Sequence, residues 1–125
     1  MELRLLGGRI IEAYGEGRFR IGGQPFTGSI LIGREEISPW SIESLAGHSP
    51  ETLFDSLTPL IAGPSRAAIL LVGCGMRAEL LPTALRTRLR DLRIAAEAMD
   101  TGAACRTYNV LIAEDRSVAA ALIAV

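Results

Sequence analysis

The order of apolar and polar positions changes character about a third of the way along the chain. Up to Trp40 it has the period of strands. Ile10 to Tyr14 is a short β-prone run that stops at the turn signal Gly15-Glu16-Gly17. Arg18-Phe19-Arg20-Ile21 alternates, which predicts a half-buried strand with Phe19 and Ile21 inward. Gly22-Gly23-Gln24-Pro25 reads as a break. Ser29-Ile30-Leu31-Ile32 is a continuous run, so this strand is expected to be covered on both faces. Ile37 to Trp40 is expected to be extended, because Ser38 precedes Pro39 and a residue before proline avoids the helical region.

Beyond Trp40 the period becomes helical. Ser49 reads as an N-cap, with Pro50 at the first helical position. Leu53, Phe54, Leu57, Leu60 and Ile61 share one helical face. Pro59 lies inside that pattern and must kink or split the helix, since it lacks an amide and clashes with the preceding turn. Gly63-Pro64 ends it. Residues 68–72 (AILLV) then read as a buried strand. Leu81, Leu85, Leu89 and Leu92 form the stripe of a helix that begins near Pro82. Residues 93–99 read as the next strand. Asp100-Thr101-Gly102 opens a helix with Ala104, Cys105, Tyr108, Leu111 and Ile112 inward, and Val118 to Val125 is the last strand. Strand, helix, strand, helix, strand predicts an α/β sheet covered by helices, with the strands at 68–72 and 93–99 parallel neighbours.

At 125 residues, with 49% apolar and 22% charged residues, the chain predicts a single domain, 1–125, and excludes a disordered protein. The net charge of -1 lacks the footprint of a nucleic-acid binder. All 13 cationic side chains are Arg, so lysine Schiff-base chemistry is excluded. Two cysteines and one histidine, His48, match no zinc spacing, and neither a metal nor a cofactor is expected. One histidine in a polar loop supports no Ser–His–acid triad. The start of the chain shows no signal-peptide pattern, and the longest apolar run, VAAALIAV, is too short to span a bilayer. These features predict a soluble, cytoplasmic protein.

Three stretches have candidate chemistry. Gly73-Cys74-Gly75-Met76-Arg77-Ala78 fits G-x-G-x-x-A after a buried strand, with Glu97 and Asp100 about where a ribose-binding acid would sit. Pro82 lies too close for the helix that a dinucleotide site needs, so a Gly-rich turn is the preferred reading. The segment MDTGAACRTYNVLIAEDR starts a helix on small residues, where free amides could meet an anion and Arg106, Thr107 and Asn109 add polar groups. Asp100 as cap would already occupy the positive end of that helix, which favours a plain capped helix. Cys105 near the first turn and Cys74 past the strand end read as small core residues. Arg86 and Arg90, with Arg93 if the helix runs that far, follow one another at helical spacing and form either a solvated face or a dock for an acidic partner. Val110 breaks the polar side of the last helix and reads as part of a partner surface.

Taken together, GSILIG…PW, ILLVGCG and MDTGAACRTYNVLIAEDRSVAAALIAV resemble the small Mth-domain family, over nearly the whole chain from Ile10 to Val125. The most specific part is DT-x-AACRTYN, matched by Asp100, Thr101, Ala103, Ala104, Cys105, Arg106, Thr107, Tyr108 and Asn109. Cys74 departs from the Thr or Ser expected between the glycines. The resemblance implies a three-layer α/β fold with a central mixed sheet and an N-terminal β layer, and implies no established catalytic activity. The family includes a mitochondrial respiratory complex I assembly factor and an adipogenesis-associated protein. By that analogy the chain is expected to be a non-enzymatic interaction or assembly-factor-like domain, binding another protein or itself. The alternative is a small-molecule or anion-binding domain, or a weak enzyme, using a cleft at the strand ends around Gly73, Gly75, Asp100 and Thr101.

Overall fold

The computed structural model describes residues 10–63 and 66–125. The expectations for the first nine residues and for Pro64 fall outside that range. The early alternation builds an antiparallel meander of β1 (Ile11–Gly15), β2 (Arg18–Ile21) and β3 (Gln24–Thr27). Phe19 and Ile21 are buried while Arg18 and Arg20 are exposed, as the alternation requires. The expected break at residues 22–25 is narrower. Gly22 and Gly23 alone make the turn, both with positive φ (58° and 83°), which a two-residue hairpin of the right twist demands. Gln24 and Pro25 already belong to β3. A proline is tolerated there because β3 is an edge strand.

The central sheet is mixed and runs β5-β4-β8-β6-β7, with β4 at Ile30–Ile32, β5 at Ile37–Pro39, β6 at Ile69–Gly73, β7 at Ala95–Met99 and β8 at Val118–Leu122. β6 is parallel to both β7 and β8, while β4 is antiparallel to β5 and β8. All residues of β4 and β8 are buried, so both read as continuous apolar runs rather than alternating ones. The last strand ends at Leu122 rather than Val125, and β7 starts two residues later than the expected 93–99.

Four helices complete the described fold: α1 (Pro50–Ser56), α2 (Thr58–Ile61), α3 (Thr83–Asp91) and α4 (Thr101–Ala113). Ser49 caps α1 by accepting a bond from the Thr52 amide. Pro59 splits the helical stripe, as a proline inside it must. Pro82 is the N-cap of α3, so no helix follows Gly75 directly. α1 to α3 cover one face of the central sheet, where Leu53, Leu60, Leu85 and Leu89 meet Leu70 and Val72. α4 and the meander cover the other, where Phe19, Ile21, Cys105 and Tyr108 meet Ile32, Leu71 and Ala120. This is the three-layer arrangement with an N-terminal β layer.

On α4, Ala104, Cys105 and Tyr108 are fully buried, but Leu111 and Ile112 are only half-buried. The stripe is right, and its cover thins toward the C-terminal turn. Leu89, which has no exposed surface, should therefore lose about 2–5 kcal/mol of stability on truncation to Ala, as core leucines do. Leu111→Ala should lose less, because part of its surface is already wet. Urea denaturation of the two variants checks the order.

Candidate functional site

The sequence points to the start of α4 and the strand ends beneath it, and the structure brings these together tightly. Gly73 ends β6 directly under α4. A Cβ at Gly73 would stand 3.0 Å from Thr101 Cα, Thr101 Oγ1 and Leu122 Cδ2, so tight that these neighbours would have to give way. The Thr101 amide donates to the Gly75 carbonyl at 2.9 Å. The Gly75 amide donates to Thr101 Oγ1 at 2.9 Å, and that hydroxyl donates to the Ile123 carbonyl at 2.7 Å. Gly75 has φ +100°, which a residue with a side chain rarely adopts, and this turns its amide onto the threonine. The Ile123 amide donates back to the Gly73 carbonyl, and the Cys74 amide to Met99. Thr101 is fully buried with its hydroxyl used twice. Gly73, Gly75 and Thr101 thus fill the strand ends with their own contacts.

Asp100 is the helix cap foreseen. Its Oδ1 accepts the Ala103 amide at 2.8 Å, and its carbonyl accepts the Ala104 amide. Asn109 reaches the meander. Its Oδ1 accepts the Ile11 amide and its Nδ2 donates to the Ile11 carbonyl, both at 2.9 Å. One side chain so gives β1 the pair of bonds that a neighbouring strand would give. Arg106, one turn earlier, donates to the Tyr14 hydroxyl at 3.0 Å, and that ring lies over Gly102. Thr107 is half-buried. Ile11 and Tyr14 are the residues that sequence reasoning missed. The available signal was Asn109 itself, the one asparagine of the chain, placed mid-helix where asparagine is a poor former.

The cysteines lie on opposite faces of the central sheet, Cys74 among the residues that meet α1–α3 and Cys105 among those beneath the meander. Both are free and buried. Burial pushes the Cys74 thiol up. Burial also pushes Cys105 up to about 12, against the weaker opposing pull of the Arg106 charge. At neutral pH both are thiols, not thiolates. His48 is an exposed loop residue before α1. Among the described residues no group of three His, Cys, Asp or Glu side chains is placed to hold a metal ion. None of the described helices is long and apolar enough to cross a membrane.

The expected partner surface divides in two. Arg86, Arg90 and Arg93 lie together and line a shallow depression of about 370 Å³ against residues 94–97. Val110 is 56% exposed but belongs to α4, on the other face of the sheet from α3.

Residues 11–123 match the family described as "Protein of unknown function (DUF498/DUF598)". A Rhodobacter capsulatus protein described as uncharacterised is 40% identical over 113 residues, covering 90% of this chain and 82% of its own length. NADH dehydrogenase (ubiquinone) 1 alpha subcomplex assembly factor 3 of Xenopus tropicalis is 36% identical over 115 residues, 90% of this chain. The match spans 60% of that assembly factor's length. The solution structure of a Bordetella pertussis protein, described as a Mth938-like domain, superposes with a TM-score of 0.76 at 29% identity, covering 94% of this chain and 85% of that one.

Thr101→Val keeps the shape and removes the hydroxyl. It leaves the Gly75 amide and the Ile123 carbonyl without their partner, at a cost of about 1–3 kcal/mol for each orphaned group. Asn109→Ala should cost about 1–3 kcal/mol in the same way and loosen β1 first. Chemical denaturation gives both totals. Cys105 adds a pH dependence with a defined sign. The unfolded thiol ionises near 9, the folded one near 12. Above pH 9 the unfolded state therefore holds fewer protons, so stability falls as pH rises from about 9 toward 12. Cys105→Ala should flatten that part of the stability curve.

Proposed function

The chain belongs to the DUF498/DUF598 family, and on that footing we propose that it is a protein-interaction domain that assists assembly of a larger complex, of the respiratory complex I type. The observation that carries this reading is the likeness to assembly factor 3, which runs through 90% of the chain. Local chemistry supports it. The polar groups at the start of α4 are engaged within the fold by Ile11, Tyr14, Gly75 and Ile123. Both thiols are buried and protonated, which makes them poor nucleophiles. The surface on offer to a partner is the arginine-lined depression beside β7.

Affinity capture from a native lysate of the source cells tests the proposal, with bound proteins identified by mass spectrometry. Enrichment of NADH dehydrogenase subunits over a mock capture is expected. Recovery of none contradicts it. A thermal-shift screen runs beside it with nucleotides, phosphates and small acids. A ligand that raised the melting temperature in proportion to the logarithm of its concentration, with no subunit captured, would move the reading to small-ligand binding.

A further inference from the structure

Among the described residues the two sheets have four edges, and three of them carry a device that hinders a further strand. β1 is bonded through Ile11 to the Asn109 side chain. β3 carries Pro25 and β5 carries Pro39. The ladder shows which way each proline faces. The Gly28 amide bonds the Gly17 carbonyl, and alternation from that pair turns the nitrogen of Pro25 outward. The Trp40 amide bonds the Ser29 carbonyl, which turns the nitrogen of Pro39 outward in the same way. Both edges lack a donor where an incoming strand would seek one.

β7 is the fourth edge, and it has no such device. The Ala95 amide bonds Ala68 and the Met99 carbonyl accepts from Cys74, so residues 95, 97 and 99 turn their peptide groups toward β6. Ala96 and Ala98 then direct N–H and C=O outward, and among the described residues these groups have no partner. Arg86 and Arg90, one turn apart on α3, flank this edge together with Arg93, against the single carboxylate of Glu97 in the same depression. None of the three arginines forms an ion pair among the described residues. Arg93 closes α3 with φ +65°, while the Ile94 amide reaches back to Leu89 and the Arg93 amide to Arg90. Glycine is the ordinary residue at that position of a helix end. An arginine there gives up backbone stability, as Asp115 does at the end of α4 with φ +60°.

We propose that β7 is a docking edge for an extended acidic segment of a partner protein. The segment adds to the five-stranded sheet by main-chain bonds to Ala96 and Ala98, with its carboxylates on Arg86, Arg90 and Arg93. This names the partner chemistry of the interaction reading above and rests on it. A second copy fits worse, since it would bring its own three arginines against these.

The probe is a blocked, dye-labelled peptide of about eight residues alternating glutamate and valine, long enough for one strand. It is titrated against the full chain by fluorescence anisotropy, beside a glutamine–valine control. The glutamate peptide should bind, more weakly as salt rises, and the control should bind at least about tenfold more weakly, a difference of about 1.4 kcal/mol. Arg86→Glu with Arg90→Glu should cost a similar factor, with only a small fall in melting temperature from the charge reversed in the last turn of α3. Ala96→Pro keeps every charge, removes one outward donor, and should weaken binding too. Arg93→Gly should raise the denaturation midpoint and lower the affinity.

No binding, or equal binding by the double charge reversal, overturns the proposal. A concentration-dependent dimer abolished by Ala96→Pro also overturns it, in favour of a second copy. Should Ala96→Pro fail to fold, amide exchange at Ala96 and Ala98 in the unaltered chain decides. Slowing on adding the peptide supports strand addition, and no change overturns it. Lysate capture separates this proposal from the reading beneath it. If the unaltered chain and the double charge reversal recover the same NADH dehydrogenase subunits equally, the edge is not the site and the interaction reading stands. If the unaltered chain recovers none, the interaction reading fails by itself.

Discussion

Thr101 rests so close to Gly73 that a methyl group added there would have to push its neighbours aside. That contact lets the first turn of α4 sit directly on the end of β6, and it aims the threonine hydroxyl between the Gly75 amide and the Ile123 carbonyl. The ends of β6, β7 and β8 and the start of α4 are thereby locked at one point. The asymmetry of hydrogen-bond energetics explains why such a point matters. Each bond made is worth little net, but a buried donor or acceptor left alone costs its full desolvation. The Asp100 cap and the small residues Gly102, Ala103 and Ala104 let the helix approach the sheet this closely.

The layers follow from that placement. With α4 against the sheet, Asn109 projects far enough to bond Ile11, and Arg106 far enough to bond Tyr14. These fix one edge of the meander, and Phe19 and Ile21 then close over Tyr108 and Cys105. β8 takes part through its run of alanines, Ala119 to Ala121, all buried. Small side chains in the middle of a sheet allow covering elements to come near on both faces. The residues that make this chain recognisable are therefore mostly those that hold its layers together.

What could be read from the sequence was what local chemistry decides. Pro59 divides its helix and Pro82 starts one because a proline's missing amide and fixed φ act on neighbouring residues only. The Asp100 cap and the parallel pairing of β6 with β7 were legible for the same reason: a cap and a short crossover are local devices. The rest depended on residues far apart in the chain. Pro25 sits inside a strand because that strand is an edge, which only the strand order reveals. Asn109 and Ile11 are 98 residues apart, so nothing near either one announces the clamp. Arg93 took a left-handed conformation that its residue type argues against. The strand-end glycines were legible as a turn, but what they pack against was not. Glycines beside a capped helix can open a cradle or permit close packing, and the difference lies in what stands opposite, here Thr101.

The central claim is that the junction of Gly73, Gly75 and Thr101 is closed by the fold's own bonds and opens only when the whole structure does. Native-state hydrogen exchange at the Gly75 amide tests it most directly, because that amide's one partner is the Thr101 hydroxyl. The account predicts exchange as slow as that of the buried β8 amides, with a denaturant dependence equal to that of global unfolding. Fast exchange at Gly75, insensitive to denaturant while β8 stays protected, would show a junction that opens locally and would contradict it.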